Sequence, residues 1–331
     1  MTILDEVTFG HVETASGVRL RFAEMAGSEA GAPLVLLVHG FPESWYNWRY
    51  QLPALTAAGY RAAAMDVRGY GGSSAPEAIE AYALETLAGD CAAVARALSP
   101  QAPVVIVGHD WGAPIAWTSA LLHPDRFRAV AGLSVPHAAP GERSPDIVHR
   151  EVFTDRGRYF YIEDFQLVGI AEVELEADPA ATIRRFYYAI SGDAPEGTWP
   201  SDKVPGDGLL KGLPEPPMPL PWLDAEDVAY LAGQFEASGF RGPLNRYRNR
   251  ARDHAMLSAL GGHVIAQPSL FIGGTRDPAT RLAGCDPLET MRALLPDLHG
   301  LHVLEGCGHW TQQERAEDCN RLLLDFLGSL G

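Results

Sequence analysis

Between Pro103 and Val107 the chain runs through five apolar residues, PVVIV, and then changes character at Gly108-His109-Asp110-Trp111-Gly112. A short apolar run closed by glycine reads as a strand buried on both faces. Similar runs occur at Ala32–His39 (APLVLLVH), Tyr60–Asp66, Phe127–Val135, Pro268–Gly274 (PSLFIGG) and Leu301–Glu305 (LHVLE). Residues 6–24 alternate, which predicts two antiparallel strands joined at Ala15-Ser16-Gly17. Helical patterns fall between the strands, over Glu43–Ala58, Glu85–Leu98 and about 112–122, and the end of the chain, Arg315–Leu330, is amphipathic. This alternation predicts an α/β fold with a mostly parallel central sheet and helices on both faces.

The alternation breaks at 137–263. That stretch carries helical segments, such as Gly169–Ala177 and Ala180–Ile190, but no convincing apolar strand. Within it Ala194–Pro221 is dense in proline and glycine and reads as a long loop. The expected organisation is therefore a core in two parts, 1–136 and 264–331, with a helical lid at 137–263. In open sheets, ligands bind where such a module would sit, over the carboxyl ends of the strands.

Composition narrows the classes. A hydrophobic fraction of 47% and a charged fraction of 21% are those of a soluble globular protein. A formal net charge of −16 argues against nucleic acid and against anionic membrane surfaces as partners. The start, MTILDEVTFG, has neither a basic n-region nor an apolar h-region, and no apolar run approaches membrane-spanning length. Cys91, Cys285, Cys307 and Cys319 have no CxxC spacing, so free thiols in a cytoplasmic protein are expected. No metal-ligand spacing is visible.

The chemistry is read from the strand ends. Glycines at 108 and 112 allow a sharp strand–turn–helix with Asp110 strained at its tip, where serine is the usual occupant. A carboxylate is itself a nucleophile, forming an alkyl ester with an electrophilic carbon. Hydrolysis of that ester calls for a histidine oriented by a second carboxylate. Asp277 follows the PSLFIGG strand and His309 follows LHVLE on a glycine-flanked loop. The order nucleophile, acid, histidine is that of the fold built on this kind of turn. The turn His39-Gly40-Phe41-Pro42 follows another strand, and the amides of Phe41 and Trp111 form the natural oxyanion hole. The acid is not expected after the 127–135 strand, which runs into Pro136-His137, with Asp146 the next aspartate. Cys307 reads as a small packing residue.

Together the segments HGFPESWYNWR, DVRGYGGSS, GHDWGAPIAW, GGTRD and GCGHW resemble the α/β-hydrolase superfamily over nearly the whole chain, and within it the soluble-type epoxide hydrolases. The resemblance implies a small-molecule epoxide as substrate, a detoxifying conversion to a diol, and no cofactor or metal. A homodimer is an assembly it leaves open. It also implies two lid tyrosines on the epoxide oxygen. Register places the first at Tyr161, with Tyr159 the fallback, and the second at Tyr247, while Tyr187 and Tyr188 read as helix core. Such phenols would protonate the alkoxide, and alkylation would fall as they ionise, near the reference value of about 10 or somewhat below. Trp111, Phe41, Pro42 and Trp310 are the expected substrate contacts. The alternative is a haloalkane dehalogenase, which shares the aspartate nucleophile. Its members often carry an asparagine for halide where this chain has Phe41, and a fluoroacetate-type member would want arginines near Trp111 and Pro114. A non-catalytic binder on the same scaffold would typically lose part of the triad.

Overall fold

The computed structural model describes residues 3–281 and 287–331; Cys285 lies outside them. Eight strands form one sheet: β1 (Val7–Glu13), β2 (Arg19–Met25), β3 (Leu34–Val38), β4 (Arg61–Met65), β5 (Val104–His109), β6 (Phe127–Leu133), β7 (Ser269–Gly274) and β8 (Leu298–Leu304). Their order is β1-β2-β4-β3-β5-β6-β7-β8. β1 and β2 pair antiparallel, as do β2 and β4, and the rest are parallel. Every residue of β3, β5 and β7 is buried, as expected of strands covered by helices on both faces.

Two expectations shift. The helix read over Glu43–Ala58 is a 3₁₀ turn, Trp45–Trp48, followed by a separate helix, Gln51–Ala57. Ser44 and Asn47 cap the turn reciprocally: Ser44 Oγ accepts from the Tyr46 amide and Asn47 Oδ1 from the Ser44 amide. Pro53 has no amide hydrogen and is tolerated only in a first turn, so the second helix starts at Gln51. β8 begins three residues before the predicted LHVLE run, because His299 and Gly300 interrupt its apolar pattern at the sheet edge.

Between β6 and β7 lie seven helices: Pro145–Val152, Tyr161–Asp164, Ile170–Glu176, Pro179–Ala189, Ala225–Ser238, Arg241–Tyr247 and Arg250–Ala259. The 194–221 stretch between two of them contains neither helix nor strand. The parallel strands all point their carboxyl ends the same way. The segments that follow β3, β5, β6, β7 and β8 therefore bring Phe41, Asp110, Ser134, Asp277 and His309 to one edge.

Candidate active site

Asp110 follows β5 directly and has φ +50°, the left-handed region that a non-glycine residue adopts at a cost of about 1–3 kcal/mol. The turn survives because its neighbours lack side chains. A Cβ on Gly108 would come within 2.7 Å of the Ala113 nitrogen, and one on Gly40 within 2.6 Å of the Trp111 nitrogen and against the Asp110 carboxylate. The helix Gly112–Leu122 then carries the chain away.

The Phe41 amide donates to Asp110 Oδ1 at 2.7 Å. On the other carboxylate oxygen, Oδ2 lies 3.3 Å from His309 Nε2. His309 Nδ1 lies 3.0 Å from Asp277 Oδ1. The Asp277 side chain is fully buried, whereas that of Asp110 is 16% exposed and reachable from a cavity. Burial pushes the Asp110 carboxyl up. The hydrogen bond and charge of His309, the charge of His109 and the Phe41 amide outweigh it, so it sits below the ordinary carboxylate value. Burial pushes His309 down, but the charge of Asp277 and the hydrogen bond and charge of Asp110 hold it well above the ordinary imidazole value. His309 thus lies between Asp110 and Asp277, which together favour its protonated form.

A cavity of about 490 Å³ opens on Asp110 and His309. Tyr161, Tyr247 and Phe41 line it, as do Phe186 and Trp199. The rings of Tyr161 and Tyr247 are 6.1 Å apart at 76°, and Tyr247 stands edge-on to Phe41 at 5.3 Å. Burial, then the charge of Asp110, raises the Tyr161 phenol, against a hydrogen bond from Tyr247. Burial raises Tyr247 too, with Tyr161 and Asp110 adding to it. Both phenols therefore keep their protons beyond the ordinary value of about 10, which corrects the expected fall near or below it. Tyr159 also lines the cavity, but its hydroxyl is buried without a hydrogen-bond partner among the described residues, and Lys203 Nζ sits 4.2 Å above its ring. The acids that act on it most are Asp164 and Glu174, not Asp110. The geometry thus groups Tyr161, rather than Tyr159, with Tyr247 and Asp110.

The sequence matches the alpha/beta hydrolase fold family over residues 33–215. It is 42% identical to epoxide hydrolase A of Mycobacterium tuberculosis over 95% of this chain and 96% of that one. Among solved structures, an epoxide hydrolase from an endophytic Streptomyces superposes with a TM-score of 0.91 at 46% identity, covering 98% of this chain and 96% of the other. Epoxide hydrolase A from Mycobacterium thermoresistibile superposes with a TM-score of 0.89 at 41% identity, covering 97% and 98%. The chain belongs to the epoxide hydrolases of the α/β-hydrolase fold.

In this epoxide hydrolase three of the expected substrate contacts lie elsewhere. Trp310 is fully buried behind the cavity, stacked on Tyr187 at 3.9 Å, with its indole donating to the Tyr187 carbonyl at 2.8 Å. Pro42 is buried too, and its carbonyl accepts from the Tyr187 hydroxyl at 3.0 Å. Trp111 packs edge-on against Tyr247 with the Arg246 guanidinium over its ring, so it supports a cavity wall without forming one. Phe41 alone of the four lines the cavity. Of the two expected oxyanion amides, Phe41 is the one bonded to the Asp110 carboxylate among the described residues.

The structure adds residues that sequence reasoning passed over. His109 Nδ1 lies 2.9 Å from Glu43 Oε2, and its Nε2 is 2.8 Å from the His309 carbonyl. Glu43 also accepts from the Gly40 amide at 2.6 Å and from Gln312 at 3.0 Å. This buried cluster joins the Gly40 turn, the end of β5 and the His309 loop. Glu314 binds the loop from the other side, accepting from the amides of Gly308 and Gly192 at 2.8 Å each and of Trp310 at 3.0 Å. HGFPE and the run after GHW carried Glu43 and Glu314 in plain view, but nothing local marks a glutamate whose partners are distant in the chain.

Proposed function

We propose that this epoxide hydrolase turns an epoxide and water into a vicinal diol in two half-reactions joined by an ester on Asp110. Oδ1 is engaged by the Phe41 amide, so Oδ2, on the open side, is the attacking oxygen. It displaces the epoxide oxygen from carbon, and Tyr161 and Tyr247 hydrogen-bond and protonate that oxygen as it becomes an alkoxide. His309, oriented by Asp277, then takes a proton from water. The water adds to the ester carbonyl, and Oδ1 becomes the oxyanion beside the Phe41 amide. Collapse expels the former Oδ2 as an alkoxide, which takes the proton of the regenerated carboxylic acid and leaves as the diol, while the proton on His309 restores the phenol that gave up its own. We assign the helices of 137–263 the role of a cap that carries both phenols. The buried free thiols of Cys91, Cys307 and Cys319 support a reducing, cytoplasmic setting.

One observation carries this reading: two phenols share a cavity with a strained aspartate and its histidine. A halide needs no proton, so a dehalogenase would not need the phenols. The test is a single turnover in ¹⁸O-labelled water. The label is expected in the Asp110 carboxylate after one cycle, with unlabelled oxygen in the first diol. Label in the first diol and none in the protein would mean that water opens the epoxide directly.

The pH dependence follows from the same charges. Alkylation uses an Asp110 carboxylate below its ordinary pKa and phenols above theirs, so its rate is expected to be flat through neutral pH and past a pH of about 10. Esterification makes Asp110 neutral and removes two of the influences that raise His309. His309 is therefore less basic in the intermediate than in the free enzyme. Hydrolysis needs the neutral imidazole, so its rate is expected to rise with pH and level off as His309 loses its proton. Pre-steady-state rates measured across pH would show this, and an acid limb confined to alkylation would contradict it.

A further inference from the structure

Ser134 is the first residue after β6, fully buried, with φ +72°. An L side chain rarely adopts that conformation, and serine lacks the local stabilisation that asparagine or aspartate finds there. Its backbone is pinned by its own amide, which donates to the Ile272 carbonyl at 2.9 Å. The turn aims Oγ at the catalytic pair. Oγ is hydrogen-bonded to Asp277 Oδ2 and lies 2.8 Å from His309 Nδ1. Asp277 Oδ1, on the other side, faces the same Nδ1 and accepts the Ala279 amide at 2.8 Å.

Counting protons fixes the direction of each bond. A carboxylate only accepts, so the serine proton goes to Asp277 Oδ2 and leaves an Oγ lone pair for the histidine. The Nδ1 proton then has two acceptors, Asp277 Oδ1 and Ser134 Oγ. The three side chains close a ring of hydrogen bonds.

We propose that Ser134 is a positioning residue for the hydrolytic half-reaction. In the resting enzyme His309 is held from both ends, by Asp110 at Nε2 and by Asp277 at Nδ1. Once Asp110 is an ester, the pull at Nε2 is gone, and only the Nδ1 side fixes the ring and its tautomer. Two acceptors converging on Nδ1 from different strands define the plane of the imidazole, where one would leave it free to rock. Alkylation does not depend on this, because the charge of Asp110 itself holds His309 during that step.

The inference rests on the two-step reading above, and the experiment separates the two. Ser134→Ala removes the hydroxyl and keeps a side chain at φ +72°. Ser134→Gly removes the hydroxyl and relieves the backbone. Stopped-flow single turnovers would give the alkylation and hydrolysis rates of each. Both variants are expected to hydrolyse the ester roughly tenfold to a hundredfold more slowly, the loss of one hydrogen bond to a charged group, with alkylation near the wild-type rate. The ester on Asp110 should then accumulate and be seen by intact mass. Wild-type hydrolysis in the glycine variant, or equal slowing of both half-reactions in both variants, would overturn the role of Ser134. Absence of any Asp110 ester in the wild type and in both variants would instead overturn the two-step reading on which it rests.

Discussion

Replacing His309 with glutamine is expected to give a protein that reacts once and stops. Its Asp110 keeps the Phe41 amide on Oδ1, a hydrogen bond that favours the carboxylate and does not depend on the histidine. Both phenols are untouched. Alkylation should therefore proceed, while hydrolysis loses its general base, a loss of roughly 10²- to 10⁴-fold. Intact-mass analysis should show nearly every molecule heavier by one epoxide, and peptide mapping should put the mass on Asp110. A folded variant that binds epoxide and gains no mass would break the division of labour between Asp110 and His309. Asp277 acts through the histidine, so Asp277→Asn should slow the same step.

The Tyr161→Phe, Tyr247→Phe pair has the opposite signature. Each single change should slow alkylation by roughly tenfold to a thousandfold, the range for one strong donor at a developing charge. With one phenol gone the other still protonates the alkoxide. The double change removes both acids from a cavity whose remaining wall near the nucleophile includes Phe41, Phe186 and Trp199, and should nearly abolish alkylation. Hydrolysis of an ester already formed should be far less affected, since that step uses Asp277, His309 and the Phe41 amide. A double variant that opened epoxides at the normal rate would remove the phenols from the mechanism. Loss of activity in Tyr159→Phe with Tyr161→Phe unaffected would move the first donor by two residues.

Strands were legible because burial on both faces demands unbroken apolar runs, and β3, β5 and β7 have them. The edge strand β8, half exposed and carrying two histidines, was legible only in its second half. The grouping of Asp110, Asp277 and His309 at one edge of the sheet could be read because each follows a strand that could itself be read. Ser134 could not. It looks like any serine in LSVPH, and what sets it apart is a backbone angle and two partners, 143 and 175 residues away. Trp310 misled for a related reason. Its neighbour His309 faces the cavity, but at the loop's turn the tryptophan faces Tyr187 instead. Adjacency in sequence does not carry across a turn.

The three amides gathered on Glu314 have a mechanical meaning. Gly192 belongs to the segment after the Pro179–Ala189 helix, while Gly308 and Trp310 flank His309. The His309 amide itself donates to the Ile190 carbonyl at 3.0 Å, and Arg276, next to Asp277, reaches the carbonyls of Gly192 and Ala194. This side of the cavity is riveted: it cannot swing open without dragging His309 out of register. The Tyr161–Asp164 helix is tied to other parts of the chain: Glu163 pairs with Arg250 at 2.8 Å, and the Phe165 carbonyl just after it accepts from Arg248 at 2.8 Å. A change that loosens the Ile190–Ala194 segment would therefore disturb His309 itself, so this stretch behaves as part of the histidine's mount rather than as a free rim of the cavity.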